Sequence, residues 1–252
     1  MKAAKDNFSE GSASYKKFRP VYPAALYNYI YAHVNNYNRA WDCGTGNGQV
    51  AEVLSKRFDQ VIATDLSEQQ ISQAQVKPNV IYKVHRAEQP FLENQKFDLI
   101  TVGQAAHWFD LPLFFNNAST QLEEKGVLAL WGYGLLRCVD SDIEKAIDYF
   151  DKSIVGPFWD DERKHIDEAY SRMHHESVEL IESNERHFIK VEWSSDRLKS
   201  YLKTWSSVRH YINQNHTDPV DLFFDQFDCL SFDGLHTFQF PIFTKLFKKK
   251  IC

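Results

Sequence analysis

One short stretch holds an acid and three alternating glycines. In "AWDCGTGNGQVAEVLS", residues 40–55, Asp42 precedes Gly44, Thr45, Gly46 and Gly48. Glycines at that spacing let a chain bend sharply after a strand, and let a ligand approach the backbone where a side chain would collide. A nucleotide-like cofactor fits that description. The frame Gly46, Gly48, Ala51 also matches the dinucleotide pattern G-x-G-x-x-G/A, so the glycines alone leave two cofactor classes open. Asp42 bears on the choice. A carboxylate two residues before the first glycine meets the pyrophosphate of a dinucleotide with like-charge repulsion but attracts an ammonium group. S-adenosylmethionine carries an α-amino group, a sulfonium and a ribose diol, and no phosphate.

Three later segments place further groups around such a ligand. Asp65 in "VIATDLS" stands about 20 residues beyond the loop, where an acid holds a ribose hydroxyl pair, and Leu66 follows it. "HRAEQPF" puts Ala87 and Glu88 after the third strand, where a backbone NH and a carboxylate read an adenine edge. "FDLITVGQAAHWFD" carries the fourth strand into a loop, so Gln104 to Trp108 face cofactor and substrate. A sulfonium already activates its methyl group, so the protein mainly has to orient a nucleophile and exclude water. A carboxylate acceptor needs an orienting cation, for which Arg19 and Arg209 are candidates. A phenol or thiol needs a base, for which His107 is the candidate; the alternative for His107 is a packed partner of Trp108. His165, His174 and His175 lack an acidic partner set at metal-ligand spacing and read as a solvated helix face, and no metal is expected.

These residues need elements that hold them. Apolar runs predict strands at 39–43, 60–64, 80–84, 97–102 and 126–131, with helices at 48–58, 67–76 and 111–122 between them. Ser67 and Gln70 form a capping-box pattern. Strands alternating with helical crossovers make a doubly wound sheet whose ligand crevice lies at the carboxyl ends of the strands, where each motif falls. After about residue 135 the period changes: helices are predicted at 140–155, 160–177, 196–212 and 219–230, a strand at 187–194, and a late strand at 236–247 whose Pro241 suits an edge or a bulge. This half is expected to add strands to the sheet edge and a helical cap over the crevice. The reading is one domain: an N-terminal lid segment (1–38), a cofactor-binding core (39–135), then cap helices and sheet-completing strands (136–252).

Composition bounds the rest. With 252 residues, 43 % hydrophobic and 25 % charged, the chain has the make-up of a folded, soluble protein. A net charge of −5 gives no field that would draw nucleic acid or an anionic membrane. Four cysteines without a C-x-x-C pair, and no apolar signal core or membrane-length stretch, predict a reduced cytoplasmic protein.

Taken together, "WDCGTGNG", the acid of "ATDLS", "AEQPF" and "FDLI" resemble the class I S-adenosylmethionine-dependent methyltransferases of the ubiquinone-biosynthesis-like type. "YKKFRPVYP" (15–23), "AAHWFD" (105–110) and "TWSSVRHY" (204–211) are similar to a subgroup containing trans-aconitate methyltransferases, although Arg86 stands where many relatives place an acid. The resemblance spans nearly the whole chain. It implies a Rossmann-like seven-stranded sheet with the last strand antiparallel, an N-terminal segment folded over the cofactor, and O-methylation of a small acid.

Overall fold

Near-continuous apolar runs become strands covered on both faces. In the computed structural model, which describes residues 20–90 and 95–250, five parallel strands lie in the order β3-β2-β1-β4-β5. They are β1 (Arg39–Cys43), β2 (Gln60–Asp65), β3 (Val80–Val84), β4 (Phe97–Gly103) and β5 (Leu122–Tyr133). Successive residues alternate between two cores. Ala40, Leu99, Val127, Ala129 and Trp131 pack into one, whereas Trp41, Ile100, Leu128 and Leu130 pack into the other. A sheet buried on both sides is what parallel pairing with helical crossovers produces. The crossovers are short: Gln49–Leu54, Glu68–Ser72 and Leu111–Gln121. The Ser67 cap forms as expected, its hydroxyl accepting the Gln70 amide at 3.2 Å.

The second half completes the same sheet with β6 (Arg137–Cys138), β7 (Val178–Ile181), β8 (His187–Trp193) and β9 (His236–Lys249). β9 runs antiparallel to β5. It pairs Phe238 with both Cys138 and Val191, and Lys248 with both Val127 and Glu179, so β5 and β6 lie along one side of it and β7 and β8 along the other. Among the described residues, nine strands therefore fill seven positions. β7 and β8 share the edge position that sequence periodicity left unassigned.

Of the two settings expected for Pro241, an edge or a bulge, it does not occupy the edge. It lies inside β9, opposite Phe188, and its carbonyl accepts the Gly134 amide in the break between β5 and β6. The nitrogen and carbonyl of an extended residue face the same side, so the missing N–H falls in that break rather than in a ladder. Two long helices are also shorter than their pattern. The stretch 160–177 is helical only over Arg163–Asp167, because Ala169 (φ 49°) and Tyr170 (φ 56°) leave the right-handed region. The stretch 196–212 divides into Ser195–Leu202 and Ser206–Asn215, because Trp205 turns out to pack against Phe150 and Trp159. Within the segment read as a lid, Ala24–Tyr31 is a core helix: Leu26, Tyr27 and Ile30 are buried with Trp131.

Candidate functional site

A cleft opens at the carboxyl ends of β1, β2 and β4. Gly44, Thr45, Gly46, Asn47, Gln49 and Asp65 line one side; Pro20, Tyr22, Gly103 to Ala105, Trp108 and Tyr133 line the other. About 740 Å³ of empty space, open solvent included, lies between these walls.

The loop needs its glycines. Gly44 has φ +70°, and a Cβ there would lie 2.6 Å from the Ala105 Cβ, so the loop and the turn after β4 touch only because position 44 carries no side chain. Gly46 has φ +55° and faces open space, with nothing nearer than Gln70 Oε1 at 3.9 Å. Gly48 begins helix Gln49–Leu54 beside Tyr82.

The two acids hold this loop from different places. Asp42 is 1 % exposed and sits beneath the loop rather than in the cleft wall, accepting hydrogen bonds from the Thr45 and Thr101 hydroxyls. Burial pushes its pKa up to about 6, against those hydroxyls and the Ala51 amide, which pull it down. Asp65 lines the cleft. One of its oxygens accepts the Gly46 amide at 2.8 Å and the other the Ser67 amide at 2.9 Å.

Gln104 also lines the cleft, but its side-chain amide is turned to β5. Its Oε1 accepts the Tyr133 amide at 2.7 Å and its Nε2 lies 3.4 Å from the Tyr133 carbonyl. Gly132 makes the crossing possible, since a Cβ there would lie 2.9 Å from Gln104 Oε1 and 2.5 Å from the Phe243 ring. Gln104 itself has φ 56°, an uncommon conformation for a residue with a side chain.

The remaining expected residues lie back from the cleft lining. Leu66 is half exposed, and Ala87 is buried in the core beneath β4. Glu88 accepts the Asp110 amide at 3.0 Å and pairs with Arg86 at 3.7 Å, so that pair anchors the turn into the following helix. His107 is buried, its Nδ1 3.0 Å from the Tyr170 hydroxyl and its ring 4.8 Å from that of Trp108. Arg19 lies outside the described residues.

Asn47, Tyr133 and Tyr170 were missed by sequence reasoning. Asn47 stood within the glycine motif; it is 8 % exposed, lines the cleft, and its Nδ2 has no partner among the described residues. Such a donor is satisfied by a ligand acceptor. Tyr133 was signalled only by the glycine before it. Tyr170 had no local signal, because its contact with His107 joins residues 63 apart in sequence.

The lining tests the choice of cofactor. Among the described lining residues there is no lysine, arginine or histidine, while one carboxylate faces the cleft and a second lies under the loop. That wall suits a ligand with a diol and positive charge, and offers no counter-charge to a pyrophosphate.

Comparisons with known proteins agree with the fold and the loop. Residues 41–130 match the family described as a methyltransferase domain. A Dictyostelium discoideum protein named as a methyltransferase is 34 % identical over 218 residues, 84 % of this chain and 81 % of that protein. A Saccharomyces cerevisiae protein named as an S-adenosylmethionine-dependent methyltransferase is 22 % identical, across 85 % of this chain and 86 % of its own length. A solved structure from Anaeromyxobacter dehalogenans, named as a type II methyltransferase, superposes with a TM-score of 0.82 at 29 % identity, covering 91 % of this chain and 97 % of its own.

Proposed function

The chain belongs to the class I methyltransferase family, with S-adenosylmethionine as its cofactor, and on that premise we propose that it methylates a small molecule at a carboxylate oxygen. The observation that carries the cofactor half is the pair of carboxylates around the glycine loop, Asp65 in the cleft and Asp42 beneath it, with no described cation in the lining.

When bound, the cofactor supplies a methyl group already activated by its sulfonium. The chain's residues bind and orient. Asp65 holds the ribose diol, the Asn47 side chain takes a polar group of the ligand, and Asp42 adds negative charge under the loop, while the amides of Gly44, Thr45 and Gly46 are held by Thr64 and Asp65. Leu66, Ala87 and Glu88 shape the adenine end. Gln104 keeps Tyr133 in place as part of the opposite wall. Tyr22, Trp108 and Tyr133 exclude water from that side.

A carboxylic acid is anionic at neutral pH, so it requires no base. Arg19 is the cation proposed to orient it, since Arg209 is not among the residues that line the cleft, and His107 is left to hold the wall. The likeness of "YKKFRPVYP", "AAHWFD" and "TWSSVRHY" to the trans-aconitate subgroup supports this choice of acceptor. We read residues 1–252 as one methyltransferase domain; the lid expected over residues 8–23 lies, up to residue 19, outside the described residues. We place the protein in the cytoplasm, a setting consistent with the free thiols of Cys43, Cys138 and Cys229. Among the described residues no helix is long and apolar enough to cross a membrane.

The test is transfer from methyl-tritiated S-adenosylmethionine to a panel of small di- and tricarboxylic acids. A methyl ester releases volatile labelled methanol in base, and that is the expected product from at least one acid. Transfer only to phenols or thiols, giving a base-stable product, would replace the carboxylate reading.

A further inference from the structure

We propose that Tyr170 is a positioning residue for the cofactor cleft. From the later half of the chain it fixes the turn Ala106–Trp108, and so holds Trp108 in the cleft wall. The described lining comes entirely from residues 20–133; the later half meets it at Tyr133, through Phe240 and Ile242, and braces the turn behind Trp108 through Tyr170.

Geometry ties the pieces together. Tyr170 is 1 % exposed and its hydroxyl lies 3.0 Å from His107 Nδ1. The His107 ring lies against Trp108, which lines the cleft. On its other side the Tyr170 ring meets Phe243 edge-on at 4.8 Å, and Phe243 pairs with Gly132. One column of contacts therefore runs from β9 through Tyr170 and His107 to the cleft.

The phenol chemistry sets the imidazole. A phenol has one donor and two lone pairs. In the proposed brace its proton goes to His107 Nδ1. His107 then carries its own proton on Nε2, and its Nδ1 is occupied. The side chain braces the turn instead of abstracting a proton.

Core filling alone does not account for this arrangement. A phenylalanine at 170 would pack on Phe243 equally well and would lack only the hydroxyl. Moreover, Ala169 and Tyr170 are consecutive left-handed residues at the end of helix Arg163–Asp167, their amides donating hydrogen bonds of 2.9 Å to the Ile166 and His165 carbonyls. Glycine is the ordinary residue for such an ending, and side-chain-bearing residues there mark positions that the surroundings over-determine.

The test uses the full chain and S-adenosylhomocysteine binding by calorimetry, which needs no substrate. Tyr170→Phe and His107→Leu are each expected to weaken binding on the order of tenfold, the loss of one buried hydrogen bond. His107→Asn, whose amide oxygen replaces Nδ1 as acceptor, is expected to restore binding to within about threefold of wild type. Nitrogen-15 spectra of the wild type should show the His107 proton on Nε2. Unchanged affinity in Tyr170→Phe, equal losses in His107→Asn and His107→Leu, or a wild-type proton on Nδ1 would each overturn the proposal. If Tyr170→Phe does not fold, the His107 pair and the wild-type tautomer decide. The proposal rests on the cofactor reading, and a wild type that fails to bind the ligand would count against that reading instead.

Discussion

At the scale of single residues, Asp42 is a carboxylate held where solvation opposes its charge. Its folded pKa of about 6 exceeds the ordinary 3.8, so the folded chain binds the proton more tightly than the unfolded one. Its contribution to stability is fully present below the ordinary value and is lost as pH rises through the folded one, on the order of 3 kcal/mol in all. Asp42→Asn, which cannot ionise, should lose less melting temperature than wild type between pH 4.5 and pH 7.5, while binding S-adenosylhomocysteine more weakly. Parallel losses in the two proteins would show that Asp42 does not titrate there. Asp65→Ala should weaken the same binding by about 1–3 kcal/mol, since the diol loses its acceptor and the Gly46 amide its partner. Calorimetry reads that loss directly, and unchanged affinity would remove Asp65 from the site. The positions of both acids beside the loop were legible in the sequence because they follow from spacing to the glycines. Their division of labour was not legible: only packing shows Asp42 beneath the loop and Asp65 facing the cleft.

At the scale of elements, the glycine loop and the turn after β4 form one contact, and the two glycines there predict different failures. Gly44→Ala places a methyl 2.6 Å from the Ala105 Cβ, so it should lower the melting temperature sharply. Gly46→Ala meets only open space and pays about 1–2 kcal/mol for its left-handed backbone, so it should fold better than Gly44→Ala yet crowd the ligand. Thermal melts with and without S-adenosylhomocysteine separate the two effects. Equal melting of the variants would mean that the close approach does not matter. Strands were readable because both cores repeat every second residue. Helix ends were harder, as at 163–170 and 202–206, where burial of Tyr170 and Trp205 overrides local periodicity. Pro241 misled because its suitability depends on the gap between β5 and β6, and that gap is a property of the sheet.

At the scale of the whole molecule, β9 joins the halves by pairing with strands from both, and Tyr170 links the later half to the cleft wall. A ligand that bridges the β1 loop and the turn after β4 should stabilise the fold as a unit. At a hundredfold excess over its dissociation constant, S-adenosylhomocysteine should add about 2.7 kcal/mol and raise the melting temperature in a single transition. Two transitions, with only one shifted by ligand, would show that the halves unfold separately. The most direct measurement is a pair of calorimetric titrations of the wild-type chain, one with S-adenosylhomocysteine and one with NADH. The account predicts one S-adenosylhomocysteine bound per chain and no heat of binding with NADH; tight NADH binding without S-adenosylhomocysteine binding would contradict it.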